Sequence, residues 1–177
     1  MNEKYEMTEE FKEIETLREG WLQKIKVYRI RALRAFADVK IGDLGGFVET
    51  KQNLSNMGNA WVYGNAEVYD NARVCDNAWV CGDAEVCGDA KVCDNANIFW
   101  CSSIGSRHGT TTMFRNTDNG ITVTCGCFMG TLEEFAERVE KEHGENIFGK
   151  EYKLLIELAK IHFGLQDETK GEEENGI

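Results

Sequence analysis

Proline is absent from the 177 residues, and histidine nearly so, at three. Without proline no chain reversal is preset, so turns must come from glycine, asparagine and aspartate, which tolerate positive φ. There are 18 glycines to serve. Positive charge is also short: 20 Lys and Arg face 31 Asp and Glu, a net charge of −11. That argues against general nucleic-acid binding, whose affinity rests on Lys and Arg against phosphates. No stretch approaches the roughly 18 apolar residues that a membrane span requires. The opening MNEKYEMTEEFKEIE is too acidic and polar for a secretory signal. A reducing cytoplasm is therefore expected, with the seven cysteines mostly thiols and no membrane partner.

Repetition is abundant. Seven consecutive hexads follow Ala-x-[Val/Ile]-[Tyr/Cys/Phe]-x-x, with Ala at 60, 66, 72, 78, 84, 90 and 96. Val62, Val68, Val74, Val80, Val86, Val92 and Ile98 stand two positions later. Gly-Asn, Asp-Asn or Gly-Asp pairs separate the hexads, so each reads as a very short strand and a corner. Ala and Val two apart face the same way in a strand. Pointing inward, they fill a narrow three-sided prism in which three hexads make one 18-residue coil. Such a stack buries its core only against neighbouring coils.

The hexads of 59–99 resemble those of the hexapeptide-repeat proteins. The resemblance implies a short left-handed parallel β-helix, mainly β, with trimers common among its relatives. Together with a Gly-rich lead and the C-terminal stretch, it is similar to hexapeptide-repeat proteins common in phage and prophage genomes. The resemblance also raises acyl transfer, in which a catalytic His works beside a coenzyme A groove. The hexads here carry no His, so a hexapeptide-type acyltransferase is the alternative reading, with His108 its one reasonable base.

Residues 18 apart stack, so the outward positions sort into three faces. Trp61, Tyr63, Trp79, Cys81, Asn97 and Phe99 make the first, which is apolar and aromatic. An outward apolar face marks an interface. Either the chain's own terminal segments cover it, or Trp61, Tyr63, Trp79 and Phe99 meet another subunit. Glu67, Tyr69, Glu85 and Cys87 make the second face, and Arg73, Cys75, Lys91 and Cys93 the third. The periodic cysteines fall on different faces, and only Cys75 and Cys93 stack, near the ~5 Å strand spacing. Two thiols fall short of a four-ligand zinc site, and no metal or other cofactor is expected.

Four segments follow. Residues 1–58 are read as a helix over 8–22, with Phe11, Ile14, Leu17 and Trp21 along one face, then an alternating strand and a Gly-rich cap. Residues 59–99 hold the repeats. Residues 100–165 form an α+β module: a hairpin turning at Asp118-Asn119-Gly120, a helix begun by the Thr131/Glu134 capping box, and a second helix near 149–163. Residues 166–177 are an acidic, disordered tail.

The densest candidate chemistry is GSRHGTTTMFR, 105–115. Ser106, Arg107, His108, Thr110, Thr111, Thr112 and Arg115 supply donors suited to phosphate or carboxylate, and the flanking glycines allow close backbone approach. The alternative is an ordinary polar edge strand, where threonine is common. No nucleophile, base and acid form an evident set, so no catalytic residue is named. The expected function is an oligomeric, non-enzymatic protein that binds or sequesters a small anionic ligand such as a nucleotide signal. A structural or protein-interaction module, with a host protein as partner, is the other alternative.

Overall fold

The structure is a computed structural model, and it describes residues 3–18 and 21–165. Strands dominate. The first two are β1 (Tyr5–Arg18) and β2 (Trp21–Ala32), followed by β3 (Leu44–Val48). Six two-residue strands come next: β4 (Trp61–Val62), β5 (Glu67–Val68), β6 (Arg73–Val74), β7 (Trp79–Val80), β8 (Glu85–Val86) and β9 (Lys91–Val92). The remainder is β10 (Ile98–Ile104), β11 (Gly109–Arg115), β12 (Ile121–Cys125), β13 (Phe128–Thr131), α1 (Leu132–His143) and α2 (Ile147–His162).

The hexad strands pair in parallel with partners 18 residues on: Val62 with Val80, Val68 with Val86, Val74 with Val92. From 60 to 92 every hexad Ala and Val is buried. Each buried Val contributes roughly 1.5–3 kcal/mol of apolar transfer. Corners turn at positive φ on Gly64, Asp70, Asp76, Gly82 and Gly88, which ends each strand after two residues. Side-chain ladders join successive corners: Asn59 donates to Asn77, Asn65 to Asp83 and Asn71 to Asp89, at 3.0–3.2 Å.

The architecture differs from the expected left-handed parallel β-helix flanked by an N-terminal helix. The short ladders belong to separate sheets, and no closed or solenoid sheet forms among the described residues. β4–β7 and β6–β9 stand alone, while β5–β8 is the end of a mixed sheet ordered β1-β2-β3-β5-β8. Parallel pairing therefore passes directly into an antiparallel N-terminal hairpin. The seventh hexad also departs from its pattern. Asp94 caps a 3₁₀ turn at Asn95–Asn97, accepting from the Ala96 N–H at 2.8 Å, and Ala96 is left exposed.

The predicted helix over 8–22 is likewise corrected: β1 and β2 form a long antiparallel hairpin. Apolar packing on the second hexad face, with charge complementarity across the strands, prevails over the helical spacing of Phe11, Ile14, Leu17 and Trp21. Glu15 meets Lys24 at 3.6 Å, Glu10 meets Arg29 at 2.8 Å, and Glu6 meets Arg31. The hairpin folds over the second hexad face, where Ile14, Ile25 and Val27 pack with Phe47, Tyr69 and Cys87. Lys12 to Glu67 (3.0 Å) and Arg18 to Asp70 (2.5 Å) fasten it there.

The C-terminal unit stacks on the last coil. Its sheet runs β10-β11-β12-β13, all antiparallel, and the 116–120 turn joins β11 to β12. Alternation along β11 sends Phe114 into the hexad core and Met113 toward the helices. Thr112 Oγ1 accepts from the Glu85 N–H (3.0 Å), and Thr124 Oγ1 donates to the Glu85 carbonyl (3.2 Å). The layers are thus hexad stack, sheet, helices. Thr131 and Glu134 form a complete capping box on α1, and Asn146 caps α2. Among the described residues no helix is long and apolar enough to cross a membrane. The acidic tail expected at 166–177 lies outside the described residues.

Candidate functional site

The predicted anion-site residues separate. Ser106, Arg107 and Thr110 line a cavity of about 370 Å³ between the C-terminal sheet and α1. His108, exposed and at φ +48°, closes the turn beside it and is not in its lining. Thr111 and Thr112 are buried: Thr111 Oγ1 donates to Cys125 Sγ (3.2 Å), and Thr112 faces the hexad stack. Alternation turns Thr112 to the hexad stack, whereas Thr111 lies on the helix side with its hydroxyl hydrogen-bonded to Cys125, so neither is in the cavity lining. Arg115 sits at the far end of β11, where Nη2 donates to the Phe163 carbonyl (2.5 Å) and Nη1 to Asn119 (3.2 Å). A seven-residue strand is about 23 Å long, so its two ends cannot serve one small ligand.

The cleft is completed by residues that sequence reasoning missed. Phe128 and Phe135 meet with ring centroids 5.3 Å apart, and Phe135 abuts Tyr152 edge-on at 5.5 Å. His143 stacks on Tyr152 at 5.7 Å. Arg138 stands on the exposed side of α1 and reaches Glu142 at 3.3 Å. Cys125, Gly126 and Cys127 supply the β12–β13 turn. One signal was legible: Arg138 and Glu142 lie one turn apart on the amphipathic helix that the capping box starts. Its apolar positions Phe135 and Val139 both reach the cleft.

Local chemistry holds these groups in place. Gly105 has φ +71°, and an added Cβ would lie 2.0 Å from the Tyr152 hydroxyl. Only glycine lets the turn close so near the phenol. Glu151 Oε2 accepts from the Gly105 N–H at 3.1 Å, tying α2 to the turn. The Tyr152 hydroxyl lies 3.7 Å from Cys125 Sγ. Burial, then the hydrogen bond to Cys125, pushes the Tyr152 phenol well above its usual range, so it stays a neutral donor near pH 7. The cleft therefore offers an aromatic floor, two guanidinium groups, one of them paired with the Glu142 carboxylate, an imidazole and neutral hydroxyls.

The residues named for an oligomer interface also find partners within the chain. Trp61 is fully buried, with Tyr5 and Phe36 edge-on to its ring at 6.3 and 5.3 Å. Its Nε1 is buried with no hydrogen-bond partner among the described residues. Tyr63 packs on Trp79 at 5.2 Å, and Phe99 lies 5.4 Å from His162 on α2. The terminal segments thus cover Trp61 and Phe99, and Tyr63 and Trp79 stay half-buried. Cys75 and Cys93 stack as expected, Cα atoms 4.5 Å apart, and are joined in a disulfide; the free thiols are Cys81, Cys87, Cys101, Cys125 and Cys127.

No protein-family model matches the chain, and no curated protein matches it.

Proposed function

We propose that the protein binds a small ligand joining a flat ring to an anionic group, of the nucleotide class, in the cleft between the C-terminal sheet and α1. The carrying observation is that the cavity sets Arg107 and Arg138 at its rim over Phe128, Phe135 and Tyr152. Guanidinium groups bind phosphate in forked geometry, and a ring stacks on aromatic faces. Ser106, Thr110 and the backbone of Gly109 and Gly126 add neutral donors. In a chain of −11 an anion is repelled at long range, so its site must concentrate cations locally. Binding without turnover is the reading, because the floor is apolar and the Cys125 thiol is held between two hydroxyls.

A thermal-shift and calorimetric screen of the purified chain against nucleotides, cyclic nucleotides and nicotinamide derivatives tests this. Each charge-assisted bond is worth roughly 1.5–3 kcal/mol. Arg138→Ala and Arg107→Ala should therefore each weaken a hit at least tenfold. A hit indifferent to both, or turnover of an acyl-coenzyme A that is lost in His108→Ala, refutes the reading.

A second reading, self-association, has its own observation. Leu154, Leu158 and Ile161 are 74 %, 51 % and 65 % exposed along one stripe of α2, opposite the face carrying Leu155 and Ala159. The spacing of four and three matches a helix-pairing seam, and a second copy of the chain is the proposed occupant. Sedimentation equilibrium should give an assembly that Leu158→Glu disperses; a monomer at tens of micromolar sinks this reading.

A further inference from the structure

The third hexad face holds a cluster that the cleft does not use. Arg73 and Lys91 are register partners on β6 and β9, about 4.8 Å apart at the strand spacing. Like charges directly opposite in a ladder repel. Elsewhere the same repeat solves this problem. The acidic pair Glu67 and Glu85, also in register, is answered by Lys12 at 3.0 Å and by the Tyr69 hydroxyl. Arg73 and Lys91 are both exposed, and neither side chain makes an ion pair or hydrogen bond among the described residues. Arg115 approaches from the C-terminal sheet. Its partners are carbonyl oxygens of Phe163 and Asn119 and the Asn119 side chain, and no carboxylate pairs with it among the described residues. The three cations line one groove of about 820 Å³, with Asn97 and Asn116 as neutral donors and Asp76 its one carboxylate.

We propose that this groove binds an oligophosphate, a chain of two or more linked phosphate groups. A singly charged anion engages one cation and leaves the repulsion between the others in place. A linear, multiply charged anion spans Arg73 and Lys91 and reaches Arg115, relieving the repulsion as it binds. Phosphate suits both head groups, forked at Arg and point-like at Lys. The site is set before the ligand arrives. The Cys75–Cys93 disulfide fastens the same two strands two residues further on, and its half-buried position leaves the cations accessible. Preorganisation of this kind lowers the cost of binding. The groove lies outside the aromatic cleft and shares no lining residue with it.

The test is calorimetric titration of the purified chain with inorganic tripolyphosphate at low salt. Wild-type protein should bind, Arg73→Ala and Lys91→Ala should each weaken binding at least tenfold, and raising the salt should weaken it further. Lys91→Glu should abolish binding while leaving the melting temperature unchanged or higher, because it turns a repulsive register pair into an attractive one. That rise separates loss of the site from loss of the fold. Arg107→Ala should leave the affinity as it is. The proposal is overturned by no binding at millimolar tripolyphosphate, or by binding that survives Lys91→Glu. It is equally overturned if binding is lost in Arg107→Ala instead, or if an oligoglutamate of equal charge binds more tightly.

Discussion

The hexad stack and the C-terminal unit are built on different principles. From 60 to 92 one Ala and one Val per hexad fill the interior, and each face pairs one strand with its copy 18 residues on. A repeated small core is filled by its own Ala and Val, and the groove on the third face opens where the C-terminal sheet brings Arg115 and Asn116 against it. The C-terminal unit packs two dissimilar helices on one side of a four-stranded sheet. Irregular packing leaves a gap at the sheet's edge, and the gap is where Tyr152, Phe135 and Arg138 converge. Repetition supplies stacked surfaces and one wall of a groove; irregular packing supplies the aromatic cleft.

The contrast can be broken most forcefully in the stack. Val80 is fully buried between coils, and an unpaired carboxylate there costs several kcal/mol. Val80→Asp should abolish cooperative unfolding in a denaturant titration. A retained transition would mean that the stack accommodates charge and is not close-packed. The C-terminal unit has its own point of greatest constraint. Gly105→Ala meets both a positive φ and the Tyr152 phenol at 2.0 Å, with an expected loss of about 2 kcal/mol or more. Because the cleft floor moves with it, ligand affinity should fall alongside stability. Undisturbed affinity would place the ligand elsewhere.

Smaller effects sharpen the boundary between the regions. Thr131→Ala removes the cap and half of the capping box of α1, a loss of about 1 kcal/mol. It should appear as faster amide exchange across α1 while the stack keeps its protection. At the junction, burial pushes the Glu85 carboxyl above its usual range, with the Tyr69 hydrogen bond opposing that shift. An acid raised in the folded state contributes stability that is full below its unfolded value, near pH 4.3. That contribution is lost as the pH rises through the folded value. Glu85→Gln keeps an acceptor for Tyr69 and removes the charge. It should match wild type near pH 4 and be the more stable of the two at pH 8, measured by denaturant midpoints. Lower stability of the variant at pH 8 would show that the buried carboxylate is favourable.

Much of this was readable one residue at a time. The burial of Ala and Val and the stacking of Cys75 on Cys93 followed from a six-residue period. Each is a relation between residues at a fixed separation. The turn at Asp118–Gly120 and the Thr131 cap are local in the same sense, settled within a few positions by backbone preference. The N-terminal hairpin was not legible as such, because Phe11, Ile14 and Leu17 fit a helix equally well. What decided between the two was tertiary: Ile14, Ile25 and Val27 pack on the second hexad face, with Glu6, Glu10 and Glu15 paired across the strands. The architecture around the hexads escaped for a related reason: the period specifies that coils pair, but not that β5–β8 continues into β3, β2 and β1.

The candidate sites divide along the same line. Arg107, Ser106 and Thr110 announced themselves as a polar, Gly-flanked run. Their separation from Thr112 was decided by strand alternation, from Thr111 by its burial and its hydrogen bond to Cys125, and from Arg115 by the length of β11. Arg138, His143 and Tyr152 come from two helices well down the chain, and nothing in their spacing relates them to residue 107. Sequence carries information about neighbours along the chain and about periodic stacking. The cleft exists because non-repeating segments meet across a sheet, and that meeting is set by packing of the whole C-terminal core.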